Sequence, residues 1–217
     1  MKPQVALNIA LHPGQTERLI HLQQMFAQAC NHLAPIVQQT RCWNRVALHH
    51  MAYRGLREQF PMLGSQMACN AIYSVSRTCR ALYQNPSSPY ALHKLGNGPL
   101  PQVLFLPQSP VYFDRHTLSL KNGRASMYTL DGRIKFNLDL TEAQEARFRS
   151  SRLREIVMST QAAGLVLTFT FDDPQADDAE FDLRNADLPE YVLVTDNTPP
   201  PPVMPPLSLT PNKESLQ

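Results

Sequence analysis

The sequence predicts an α+β fold: a first strand, three inserted helices, a β-rich half, and an acidic, then proline-rich tail. Three observations carry this. Residues 110 to 138, PVYFDRHTLSLKNGRASMYTLDGRIKFNL, hold two strand-turn-strand signals in one run. Upstream, apolar residues recur at the three- and four-residue steps of helical faces. Charge also divides sharply: residues 1 to 170 carry 18 Lys and Arg against 8 Asp and Glu, whereas 171 to 217 carry 2 against 10. A basic body of this kind points to an anionic partner, or to a solvated surface joined to an acidic end.

Taken in order, Val5, Leu7 and Ile9 alternate with Ala6, Asn8 and Ala10 ahead of His12-Pro13-Gly14, a short strand ended by a turn. Thr16 is placed to cap a helix whose face is Leu19, Leu22, Phe26, Cys30 and Leu33, with the pattern weakening at Pro35. A second helix is predicted over 43 to 59, with Val46, His49 or His50, Tyr53 and Leu56 inward, Arg45, Arg54 and Arg57 outward, and Phe60-Pro61 as its stop. Consecutive histidines on a helix point about 100° apart, so His49 and His50 do not suggest a shared metal ion. Ser65 is placed to cap a third helix with Met67 or Ala68, Ala71 or Ile72, Val75, Cys79 and Leu82 buried. A separate stripe of Tyr73, Arg77, Arg80 and Gln84 suits either a solvated face or stacking plus phosphate contact.

Residues 85 to 101 read as a loop, and Val103 to Leu106 opens the β-rich part. Asn122-Gly123 between Thr117–Leu120 and Ala125–Thr129 suits a type I′ turn, and Asp131-Gly132 reverses the chain before Ile134, Phe136 and Leu138. The resulting three-stranded meander places Arg115, Lys121, Arg124, Arg133 and Lys135 on its other face, where long cations reach phosphates. Thr141-x-x-Gln144 is a capping box, followed by Arg147, Arg149, Arg152 and Arg154, which enlarge the basic field. Ile156–Thr160 and Leu165–Phe171 form a last predicted hairpin across residues 161 to 164. Beyond it, DDPQADDAEFDLRNAD and the seven prolines of residues 198 to 217 predict disorder or polyproline II over 174 to 217.

Cys30, Cys42, Cys69 and Cys79 never form a C-x-x-C pair, and Cys30, Cys69 and Cys79 fall on predicted core positions, so reduced thiols in a cytoplasmic protein are expected. No signal-peptide pattern and no apolar run long enough for a bilayer is present, so no membrane partner is expected. There is no P-loop, no G-x-S-x-G and no H-E-x-x-H, and the paired acids Asp172-Asp173 and Asp177-Asp178 lie in the tail. No catalytic residue, metal or cofactor is predicted.

The segments LHPGQTERLIHLQQMFAQACNHL, FPMLGSQMACNAIYSVSRTCRAL and VYFDRHTLSLKNGRASMYTLDGRIKFNL resemble, in order and spacing, the N-terminal half of the transposon-encoded TnpB (OrfB) proteins, relatives of the type V CRISPR effectors. The resemblance spans residues 5 to 173. It implies that residues 1–13 and 87–173 build a wedge domain, an oligonucleotide-binding-like β-barrel, and that 14–86 form an inserted helical recognition lobe. It further implies that Tyr73, Arg77 and Arg80 on the lobe and Lys121, Arg124, Arg133 and Lys135 on the wedge help hold a structured guide-type RNA, with target DNA as a further partner. Arg115, Arg152 and Arg154 join this nucleic-acid-binding set. The family continues into a RuvC-like nuclease, of which EYVLVTDN, ending near Asp196, offers one strand and one acid at most. Two-metal hydrolysis needs several fixed carboxylates, so these residues are not expected to cut DNA themselves. A separately encoded RuvC-type subunit, guided binding without cleavage, and the product of a truncated transposase gene all remain open. A protein adaptor using the helical lobe and the proline-rich tail is the alternative of another class.

Overall fold

The computed structural model describes residues 3–121, 123–172 and 189–195. Its first strand, β1 (Gln4–Asn8), pairs antiparallel with β8 (Gly164–Phe171), Gln4 facing Thr170 and Asn8 facing Val166. Everything between them is enclosed by that pairing. β8 pairs in turn with β7 (Leu153–Gln161), and β7 with β3 (Val111–Phe113), giving a four-stranded antiparallel sheet in the order β1-β8-β7-β3. Val5 and Leu7 lie opposite Phe169 and Leu167, so one face is continuously apolar. The Gln161–Gly164 pair closes the β7–β8 hairpin over two residues, with Gly164 at φ 119°, where a side chain would be strained.

The predicted meander forms as β4 (Leu118–Lys121), β5 (Arg124–Thr129) and β6 (Gly132–Asn137). Lys121 pairs with Arg124 and Gly123 has φ 71°, which is the register of a two-residue connection; Asn122, the other residue of the expected turn, lies outside the described residues. Leu118, Ala125, Met127, Ile134, Phe136 and Leu138 are all buried. A third, two-stranded sheet pairs β2 (Gln102–Phe105) with β9 (Val192–Thr195). The described strands therefore form three separate antiparallel sheets with no closed barrel, which corrects the expected barrel. β9 also corrects the expectation of a wholly unstructured tail: Tyr191 contacts Phe105 and bonds Thr78, and its carbonyl accepts from Leu106 N and Ser109 Oγ. The remainder of the predicted tail, 174–188 and 196–217, lies outside the described residues.

Three long helices fill the interval between β1 and β2. α1 (Pro13–Thr40) begins three residues before the expected cap, because Pro13 presets the first helical φ and the Gln15 side chain returns to the His12 N–H at 3.3 Å. It also runs on through Pro35 to a left-handed Arg41, since burial of Leu33, Ala34 and Val37 offsets the one hydrogen bond proline removes. α2 (Arg45–Gln59) is capped by Asn44, whose side chain accepts from Val46 N and Ala47 N. Its inward residues are Leu48, Ala52 and Leu56; Val46, expected inside, is 63% exposed, because the packing of α2 on α1 and on the third helix takes the Leu48, Ala52 and Leu56 face instead. α3 (Ser65–Tyr83) starts after Gly64 with Ser65 as its first turn rather than its cap, and buries the whole predicted apolar stripe. Cys30 and Cys79 are core thiols as expected, whereas Cys69 is half-exposed on the α3 flank. A one-turn helix, α4 (Leu92–Leu95), interrupts the predicted loop, and α5 (Glu142–Ser150) opens on the predicted Thr141 and Gln144 capping box. Among the described residues no helix is long and apolar enough to cross a membrane.

Polar side chains of α1 hold the second half of the chain in place. Asn31 accepts the Phe105 N–H at 2.7 Å and donates to the Phe105 carbonyl at 2.9 Å, acting as a neighbouring strand on the edge of β2. Buried Gln23 donates to the carbonyls of Gln108 and Ser109 and accepts from Thr160, and Gln38 donates to Leu100 O. Asn31→Leu keeps the branched shape of the side chain but orphans both Phe105 groups; a loss of about 2 kcal/mol is expected, read as a lower urea midpoint at unchanged slope. The core also carries a pH signature. Burial pushes the Cys79 thiol up to about 12, and raises the Cys30 thiol and the Tyr83 and Tyr112 phenols as well. Above pH of about 9 the unfolded chain sheds these protons while the native state keeps them, so stability is full below that pH and falls as pH rises. A urea midpoint unchanged between pH 8 and 10.5 would contradict it.

Candidate nucleic-acid interface

A strand exposes alternate side chains on opposite faces, so once Ala125, Met127 and Ile134 are buried, the basic residues between them must face outward. Lys121 lies directly opposite Arg124; Lys135 lies opposite Ser126, one step diagonally from Arg124; Arg133 lies opposite Tyr128. All four cations are exposed. Neighbouring strands stand about 4.8 Å apart, so Lys121, Arg124 and Lys135 present three charges to one small patch. None of the three makes an ion pair among the described residues. Like charges placed opposite each other in a sheet are destabilising unless an anion lies across them.

Arg133 is differently employed. Its guanidinium donates to Ser126 Oγ at 2.8 Å, to the Ser126 carbonyl, and to His116 O at 3.1 Å, so it lies across the sheet and fastens the β3–β4 turn to β6. Asp114 holds that turn by accepting from the His116 and Thr117 amides, and exposed Arg115 rides on it beside Arg133. Tyr128, on the face of the cations, closes the other end: its hydroxyl donates to Met62 O and accepts the Gly64 N–H. Arg133 thus fastens to the meander the turn that carries Arg115.

The predicted stripe on α3 does not join this patch. Tyr73 donates to Glu155 Oε1 at 2.7 Å, Arg77 bonds the same oxygen at 2.9 Å and the Tyr73 hydroxyl at 3.2 Å, and Arg77 lies over the Tyr112 ring. Tyr73 meets Tyr112 edge-on at 5.3 Å, and Arg45 lies over the Tyr73 ring at 5.2 Å. Burial, then the Glu155 carboxylate, raises the Tyr73 phenol, so it keeps its proton as a donor. The Tyr73 and Arg77 pair expected to stack on and grip nucleic acid is therefore turned onto the sheet, because a helix packed between two layers buries two stripes rather than one. Arg80, one turn on, is half-buried. Arg154 is the extra residue of a bulge between the Leu153–Phe171 and Glu155–Thr170 pairs, and with Arg152 it approaches Asp172 at 3.8 and 3.7 Å.

Glu155, Tyr112 and Tyr128 were not singled out from sequence. Glu155 carried one signal, as the lone carboxylate of the strand LREIVMSTQ. Glu155→Ala removes the carboxylate that both Tyr73 and the Arg77 guanidinium bond, the Arg77 side chain being 29% exposed. The expected loss is about 2 kcal/mol, read by chemical denaturation.

No family model matches this chain, and no curated protein matches it.

Proposed function

We propose that this chain is the RNA-binding part of a TnpB-like, RNA-guided DNA-targeting system, acting in the cytoplasm and leaving DNA cleavage to a RuvC-type nuclease domain or subunit. On this reading α1 to α3 are the recognition lobe and the strands are an opened version of the oligonucleotide-binding-like wedge. One observation carries it: Lys121, Arg124 and Lys135 stand together on the outer face of the meander with no acidic partner among the described residues. Support also comes from the β1–β8 pairing, which makes the three helices an insertion between strands of one β unit. Such a patch grips phosphates and shape, while sequence reading falls to base pairing with the guide.

A second reading, as a protein adaptor, is favoured by one feature. Leu104 and Leu193 face each other across β2 and β9 and are 42% and 50% exposed. An uncharged leucine pair of this kind suits a protein contact.

The two readings separate on purification. Sequencing the RNA that accompanies the chain is expected to return one discrete structured transcript; protein free of RNA and bound to a stable protein partner supports the adaptor. The combined Lys121→Glu, Arg124→Glu and Lys135→Glu variant is expected to fold normally. Its log-log salt slope for single-stranded RNA should shrink by about 2 units, at roughly 0.7 per phosphate contact. An unchanged slope in that folded variant places the RNA elsewhere.

A further inference from the structure

The outer flank of α2 carries a feature that neither the core nor the meander uses. With Leu48, Ala52 and Leu56 buried on one side, the helix turns His49 and Tyr53 onto its half-buried margin, one turn apart, Tyr53 leaning on the core. Their rings stack at 4.6 Å with 17° between planes, and His50 meets His49 edge-on at 6.0 Å. Beside them Val46 is 63% exposed, and Arg45 and Arg54 are exposed as well. The only acid of this helix, Glu58, is tied to Arg54 at 3.0 Å. Half-exposed flat rings beside exposed Val46, with two exposed arginines against one acid on the same helix, match a polyanion that also offers flat faces. Paired bases are already stacked on one another, so only an unpaired strand has faces to offer.

We infer that the His49–Tyr53 ring stack, with Val46 and His50 beside it and Arg45 and Arg54 at its flanks, is a second nucleic-acid contact that takes unpaired bases of a single strand. It rests on the reading of the chain as an RNA binder and adds to it a base-stacking site on the helical lobe, separate from the phosphate-gripping meander.

The test titrates the full chain into a short single-stranded RNA carrying 2-aminopurine, whose emission is quenched on stacking. The His49→Leu and Tyr53→Leu double variant keeps the apolar volume but not the rings. It is expected to lose affinity by about ten- to a hundredfold and to lose the quench, with its salt slope unchanged. His49→Phe with Tyr53→Phe should retain both. A DNA strand of the same sequence tells whether the contact is to bases alone, giving equal loss, or to ribose as well, giving loss confined to RNA. The inference is overturned if the leucine variant, melting at the native temperature, binds and quenches as before, or loses the same factor on fully paired duplex. If the unaltered chain binds no RNA the broader reading falls too; if only the meander variant loses binding, the broader reading stands and this site alone is lost.

Discussion

The pairing of β1 with β8 is the constraint on which the rest of this structure depends. Gln4 and Thr170 are 166 residues apart in sequence, yet they face each other across one ladder and their side chains bond at 3.4 Å. A contact of such separation costs loop-closure entropy that only a large packed interior offsets. The apolar residues of the first strand supply the edge of that interior, and the chain leaving it has no direction but into α1. Without the ladder, the three helices and the later strands would share no common frame.

Within the frame, polar side chains do work usually left to backbone. Asn31 completes the edge of β2, Gln23 joins the β2–β3 connection to β7, and Tyr128 ties the meander to the start of α3. Short strands leave many unpaired amides and carbonyls, and burying those groups unsatisfied would cost more than the strands contribute. Amide side chains projecting from a rigid helix answer that need at fixed positions. The fold is thus three small sheets pinned to helices.

Charge is sorted by the same packing. Several cations are consumed: Arg77 by Glu155 and Tyr112, Arg18 by the Thr129 hydroxyl and the Asp131 carbonyl, and even the exposed Arg133 by Ser126 and His116. Lys121, Arg124 and Lys135, on the outer face of the meander, make no ion pair among the described residues. An excess of arginine in composition therefore overstates the binding surface, and the patch that remains is smaller and more local than the whole basic body suggested.

Much of the local structure was legible in the residues themselves. The Thr141 and Gln144 capping box, the Gly123 and Gly132 turns, the alternation through Ile134, Phe136 and Leu138, and the buried stripe of α3 all follow from interactions within a few residues, which is the range over which a sequence states its preferences. The same range explains the outward placement of Lys121, Arg124 and Lys135, since alternation fixes the face once the apolar residues are buried. Only the tertiary structure decided that Val46 is exposed, that Val192–Thr195 is a strand, and that Tyr73 and Arg77 turn inward. Each depends on a partner far along the chain: Glu155 meets Arg77 across 78 residues, and β9 finds β2 across a comparable gap. Periodicity marks a polar stripe but is blind to what faces it, because desolvation and ion pairing are set by the neighbouring layer and not by the helix that carries the charge.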